Sequence, residues 1–306
     1  MTELIIDVLK DVVIDTLKLL PFLFVTYLVM EYLERKTEDR SAGLLARSGK
    51  WGPLPGALTG ILPQCGFSAA ASSLYAGGVI TVGTLLAVFL STSDEMLAIF
   101  LSSAVPVAVI AKVLFTKVLL GTISGFAVDF GWRRVKKLLR RPGHMRGARR
   151  KDSPDPDEKH IHDLCKQEHC GCEEEGSIWK SAAVHTAHIL SFIFLISLAI
   201  TFLVELAGED VIAGALSGKP VLGVFLAGLI GLIPNCAASV TITSLYLEGI
   251  LDAGQMIAGL LVGAGVGLLV LFRTNRHLKE NIAIAGTLYA IGVFWGLVLE
   301  LMHVAF

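Results

Sequence analysis

The sequence predicts an all-α polytopic membrane protein built from two inverted-topology repeats with broken or re-entrant helices, eight to ten membrane segments in all. Three observations predict it. The 306 residues are 54% hydrophobic and only 17% charged, where a water-soluble domain carries about 25% charge. Positions 171 apart match without gaps: Gly60-Ile-Leu-Pro-Gln-Cys65 aligns with Gly231-Leu-Ile-Pro-Asn-Cys236, and Ser73-Leu-Tyr75 with Ser244-Leu-Tyr246. Finally, a loop rich in Lys and Arg in one copy has an uncharged or acidic counterpart in the other, as short loops on opposite sides of a membrane would.

Apolar runs long enough to cross about 30 Å of hydrocarbon occupy residues 12–33, 54–77, 107–130, 178–206, 221–247 and 282–304, and these read as full crossings. Residues 79–105 and 250–272 are apolar but interrupted, by Ser91-Thr-Ser-Asp-Glu95 and Gly263-Ala-Gly-Val-Gly267, which predicts a re-entrant or broken element in each. Between residues 60 and 90, eleven of 31 positions are identical to those 171 further on, so the chain is one unit written twice. Residues 1–13 carry Glu3, Asp7 and Asp11 instead of a basic leader, and the first helix is expected to be retained. The expected organisation is a first repeat over 1–130, a linker over 131–177, and a second repeat over 178–306.

Charge sets the expected orientation. The loop 35–50 is basic, residues 132–151 hold ten Lys or Arg and no acid, and Arg273, Arg276 and Lys279 follow the second interrupted run. All three are expected on the cytoplasmic side, together with the rest of the 131–177 linker, of a chain in the cytoplasmic membrane. Their counterparts, uncharged 101–106 and acid-leaning 207–219, fall on the other side, so the copies are inverted. Three crossings and one re-entrant element per copy satisfy this, with both termini outside.

Inverted repeats with matching breaks point to a midplane solute site. Pro63 and Pro234 each remove a backbone donor, and the freed carbonyls must find partners or line a wet cavity. After each proline stand a carboxamide and a thiol, Gln64-Cys65 and Asn235-Cys236, then Ser68 and Ser239. Such groups suit a small polar solute or a soft metal. Small residues packing helices closely, with buried thiols as small hydrophobes, is the plainer reading. Asp94 and Glu95 add weight, because an intramembrane carboxylate is costly and marks a functional position. Their counterparts are Gly265 and Val266, so one copy supplies charge and the other flexible backbone at Gly263 and Gly265. Ser91, Thr92 and Ser93 add oxygen ligands suited to Mn2+, while the thiols suit softer ions or trivalent arsenic. Ser-Thr-Ser-Asp-Glu also reads as an ordinary helix N-cap. Of Lys112 and Lys117, one is expected to snorkel and the other to balance Asp94 or Glu95. Glu31, Asp129, Glu205 and Glu300, near helix ends, are expected at the interface.

The linker segment His160-Ile-His162-Asp-Leu-Cys165-Lys-Gln-Glu-His169-Cys170-Gly-Cys172 packs three His and three Cys into thirteen residues. That density is a metal-binding composition without a structural zinc spacing, so a loose exchangeable site or an untidy polar linker is expected. The chain has no Gly-Lys-Ser/Thr phosphate loop, no His-Glu-x-x-His and no Gly-x-Ser-x-Gly, and the expectation is a non-enzyme without a resident cofactor. Its expected partners are the lipid bilayer and a small ion or molecule, not nucleic acid, and nothing in the sequence opposes a homo-oligomer.

The stretches Leu62-Pro-Gln-Cys-Gly-Phe-Ser68, Thr84 to Glu95, Ile233-Pro-Asn-Cys-Ala-Ala-Ser239 and Ala258 to Arg273, with the His/Cys-rich loop, resemble the family of ten-helix heavy-metal exporters. Members of that family carry the names manganese transporter and arsenic efflux protein, and the chain is more distantly similar to the organoarsenical permeases. The resemblance spans nearly the whole chain. It implies export of a metal or metalloid across the cytoplasmic membrane, with Cys65, Asp94, Glu95 and Cys236 at motif positions. One departure is the alanine-rich Ser68-Ala-Ala-Ala-Ser72, which offers few polar contacts. The expected function is therefore secondary export of a divalent metal, Mn2+ foremost, or a thiol-reactive metalloid, by alternating access. An organic-anion carrier using half-helix ends is the second expectation, and a membrane metal sensor or scaffold acting through the His/Cys loop is the third.

Overall fold

The computed structural model describes residues 51–62, 65–139, 178–207, 220–304 and 306, and parts of 9–28. Among them the regular elements are helices: turns of a first helix between 9 and 28, then α1 (Pro53–Gly60), α2 (Cys65–Ala76), α3 (Val82–Ser91), α4 (Asp94–Ser102), α5 (Val107–Leu139), α6 (Ile178–Ala207), α7 (Pro220–Gly231), α8 (Cys236–Leu247), α9 (Ala253–Val262), α10 (Val266–Thr274) and α11 (Leu278–Leu301). The 171-residue offset carries α2 onto α8 and α3 onto α9 at both ends, and α5 onto α11 at its first residue.

Local chemistry explains the stops. Pro53 opens α1, where its missing N–H costs nothing, and α1 ends short of Pro63. In the second half, Asn235 sits extended as the N-cap of α8 and accepts from the Ala237 N–H at 3.4 Å. α3 ends where Ser91 Oγ donates to Ala87 O at 2.7 Å and Thr92 Oγ1 to Val88 O at 2.8 Å, so hydroxyls take carbonyls at the helix end. α9 ends at Gly263, and Gly265, at φ +52°, turns the chain into α10 through a conformation that a side chain disfavours. The runs 54–77 and 221–247, read from sequence as full crossings, are thus two short helices each, divided like 79–105 and 250–272. Proline outweighs continuous hydrophobicity there, because a helix cannot propagate a hydrogen bond through it.

α3 packs between α1 and α5, and α9 between α7 and α11. Each pairing brings backbones close at equivalent glycines: a Cβ on Gly83 would stand 2.2 Å from Gly125 O, and one on Gly254 would stand 2.7 Å from Gly296 O. Across the halves, α2 packs on α10 and α4 on α8. This exchange of equivalent partners is the mark of a two-fold relation. Trp295 Nε1 donates to Ser124 Oγ at 2.9 Å, and these two residues are themselves 171 apart, so the relation runs between them.

Every residue of α3 and α9 is buried, whereas α5, α6 and α11 present Phe115, Leu119, Leu195, Phe294 and Leu301 outward. A perimeter of exposed large apolar side chains suits lipid, not water. Five stretches are long and apolar enough to cross a membrane among the described residues: 82–102, 107–131, 182–199, 253–274 and 278–301. The chain is an all-α polytopic membrane protein.

Candidate functional site

The two central breaks meet. Thr92 and Ser93, between α3 and α4, face Gly263 and Gly265, between α9 and α10, across a cavity of about 10 Å³. Ser239, Met96, Leu260 and Lys117 complete its wall. That volume holds about one water molecule or one monatomic ion. Thr92 and Gly263 are equivalent positions 171 apart, so both halves contribute the same point of the chain to the wall.

Four half-helix ends converge on it. α3 and α9 bring carbonyl ends with partial negative charge, and α4 and α10 bring amide ends with partial positive charge. Lys117, on α5 and fully buried, donates from Nζ to Thr92 O and, at 3.0 Å, to Leu260 O. One ammonium therefore ties the carbonyl end of α3 to that of α9. The alternative for those groups would be a buried charge and buried acceptors without partners, at several kcal/mol. Hydroxyls of Thr92, Ser93 and Ser239 give the wall hard oxygen atoms, and Met96 gives it a thioether, a soft donor.

Of the residues singled out in the sequence, Thr92, Ser93, Ser239, Gly263 and Gly265 come together here. Ser91 is not part of the cavity wall: its hydroxyl lies against α1, where a Cβ added to Gly60 would stand 2.1 Å from it, and donates to Ala87 O and Val88 O. Ser68 is buried against Gly267, where an added Cβ would stand 2.7 Å from the serine Cβ. Asn235 is committed elsewhere, donating from Nδ2 to Thr201 Oγ1 at 2.8 Å while capping α8. Cys65, Asp94 and Cys236 are the first residues of α2, α4 and α8, and Glu95 follows Asp94. Their side chains lie outside the described residues, as do Gln64 and the loop ligands His160, His162, Cys165, His169, Cys170 and Cys172.

Asp129, near the end of the 107–131 stretch, is buried against α3, accepting from the Gly83 N–H at 2.9 Å and from Thr81 Oγ1 at 2.7 Å. It caps α3 from α5. Glu300, its equivalent, stands against Gly254 at the start of α9 in the same manner. Lys112 is exposed and Lys117 is buried, where it donates to main-chain carbonyls; the side chains of Asp94 and Glu95, one of which was expected to be balanced by a lysine, lie outside the described residues. Met96 and Leu260 were missed by sequence reasoning; both lie in apolar helices, and only the fold turns them to the cavity.

A family model described as "Putative, 10TM heavy-metal exporter" matches residues 1–212 of the 306. No curated protein and no solved structure matches the chain. A match over more than half the sequence, on a helical membrane fold with a polar cavity at its centre, identifies the chain as a member of the 10TM heavy-metal exporter family.

Proposed function

We propose that the protein exports a heavy-metal cation, Mn2+ or a softer thiophilic ion, by alternating access at the cavity between the two central breaks. One observation carries the reading: equivalent interruptions of the two halves, at Thr92 and Gly263, enclose a single ion-sized space walled by hydroxyls, a thioether and helix ends. In this reading Asp94 and Glu95 supply charge from the first turn of α4, and Cys65 and Cys236 supply soft ligation from the first turns of α2 and α8. Ser91 and Asn235 act on the site indirectly, by fixing where α3 stops and α8 starts. Repeats over 1–130 and 178–306, oppositely oriented in the cytoplasmic membrane, rock against each other, with 131–177 on the cytoplasmic side. The His/Cys-rich loop would then gather ions at the entry face.

The test is flux from proteoliposomes loaded with Mn2+, arsenite or a panel of carboxylates. The reading expects Mn2+ efflux that Asp94→Asn abolishes. An organic-anion carrier has one observation in its favour, the Lys117 ammonium in the cavity wall. Carboxylate flux lost in Lys117→Gln, with metal flux absent, would replace the metal reading with that one.

A further inference from the structure

Lys117 has no equivalent in the second half, where Leu288 stands in its place, buried in the core. The carboxylates of the first half are missing there too, replaced by Gly265 and Val266. Lysine and carboxylates are therefore present together in one copy and absent together from the other. The lysine also occupies a telling position. Its ammonium is held by two main-chain carbonyls, Thr92 O and Leu260 O, from the ends of opposed half-helices. Helix-end carbonyls without amide partners are also what a hard metal cation binds. The ammonium fills the seat of an ion.

Resting on the export reading above, we infer that Lys117 is the carrier's internal counter-cation: it neutralises the empty site and yields the Thr92 and Leu260 carbonyls when the metal cation arrives. An empty site bearing Asp94 and Glu95 cannot reorient through a low-dielectric core without compensation. Lys117 supplies it, so the empty carrier returns and net export continues. A loaded carrier has its compensation from the metal and reorients without the lysine. The group acts through the carbonyls and the carboxylates, as a positioning and coupling residue.

The experiment compares two modes of Mn2+ movement in proteoliposomes of the full chain: net efflux into metal-free buffer, which needs the empty carrier to return, and Mn2+/Mn2+ exchange, which does not. K117Q is expected to lower net efflux at least tenfold while leaving exchange within threefold of the wild type, and K117R to restore net efflux. Equal loss of both modes in K117Q, or loss of neither, overturns the inference while leaving export intact. Wild-type vesicles that move no Mn2+ in either mode overturn Mn2+ as the cargo and this inference with it. If K117Q does not fold, the wild type carries the test through nitrogen-15 spectra of its lysine side chains in nanodiscs. One buried ammonium resonance, absent from K117R, is expected to shift on adding Mn2+, and an unmoved resonance overturns the inference.

Discussion

In the first half the central helix stops at Ser91 on a run of hydroxyls and restarts at Asp94. In the second it stops at Val262 before a glycine and restarts at Val266 beyond Gly265, at φ +52°. The backbone does the same thing twice with different chemistry. Features that both halves keep, such as the glycine contacts Gly83 with Gly125 and Gly254 with Gly296, and the acidic residues Asp129 and Glu300 at the starts of α3 and α9, hold the broken architecture. Features that only the first half keeps, namely Asp94, Glu95 and Lys117, are not needed to make a break. The proposed function assigns them the charge of the site, beside the shared Cys65 and Cys236 that it assigns to soft ligation.

This division between shared and unshared residues can be broken by substitution. The largest effect is expected at the shared contacts. Gly83→Val and Gly254→Val each force a side chain into a backbone oxygen, at about 3 kcal/mol or more, and both should abolish the monodisperse peak in size-exclusion chromatography. One tolerated and the other not would mean that the halves are held differently. Next, Asp94→Asn should reduce Mn2+ efflux by at least about tenfold, roughly 1.4 kcal/mol, with the elution profile unchanged. Gly265→Ala, its counterpart, should lower thermal stability through about 1–3 kcal/mol of backbone strain and leave a measurable flux. A smaller effect is expected for Asn235→Ala, which removes a cap and the bond to Thr201. It should lower the melting midpoint by the equivalent of about 1 kcal/mol without changing the concentration dependence of transport, and a large rise in KM would place Asn235 on the cargo after all. Smallest of all, Lys112→Leu, on the exposed face of α5, should stay within about 0.5 kcal/mol of the wild type and transport normally, in contrast to Lys117.

Much of this architecture was legible in the sequence because its signals are local. Proline at 63 and 234, the Ser-Thr-Ser run and the Gly-Ala-Gly run are each readable within a few residues, and they mark the breaks. The repeat spacing was legible too, since it needs only the chain compared with itself. The contacts that decide the site are not local. Lys117 meets carbonyls 25 positions before it and 143 after it, and no periodicity within α5 says which helix ends will be there. Asp129 was read from its place near a helix end, which does not reveal that its partner is the amide of Gly83, 46 positions earlier. Asn235 looked like a ligand because of the thiol beside it, while its carboxamide is used by Thr201 on α6.

The most direct measurement is anomalous diffraction at the manganese edge from crystals of the full chain soaked in Mn2+. The account predicts one strong peak inside the cavity bounded by Thr92, Ser93, Ser239 and Gly263. A peak at residues 160–172 with that cavity empty would contradict it.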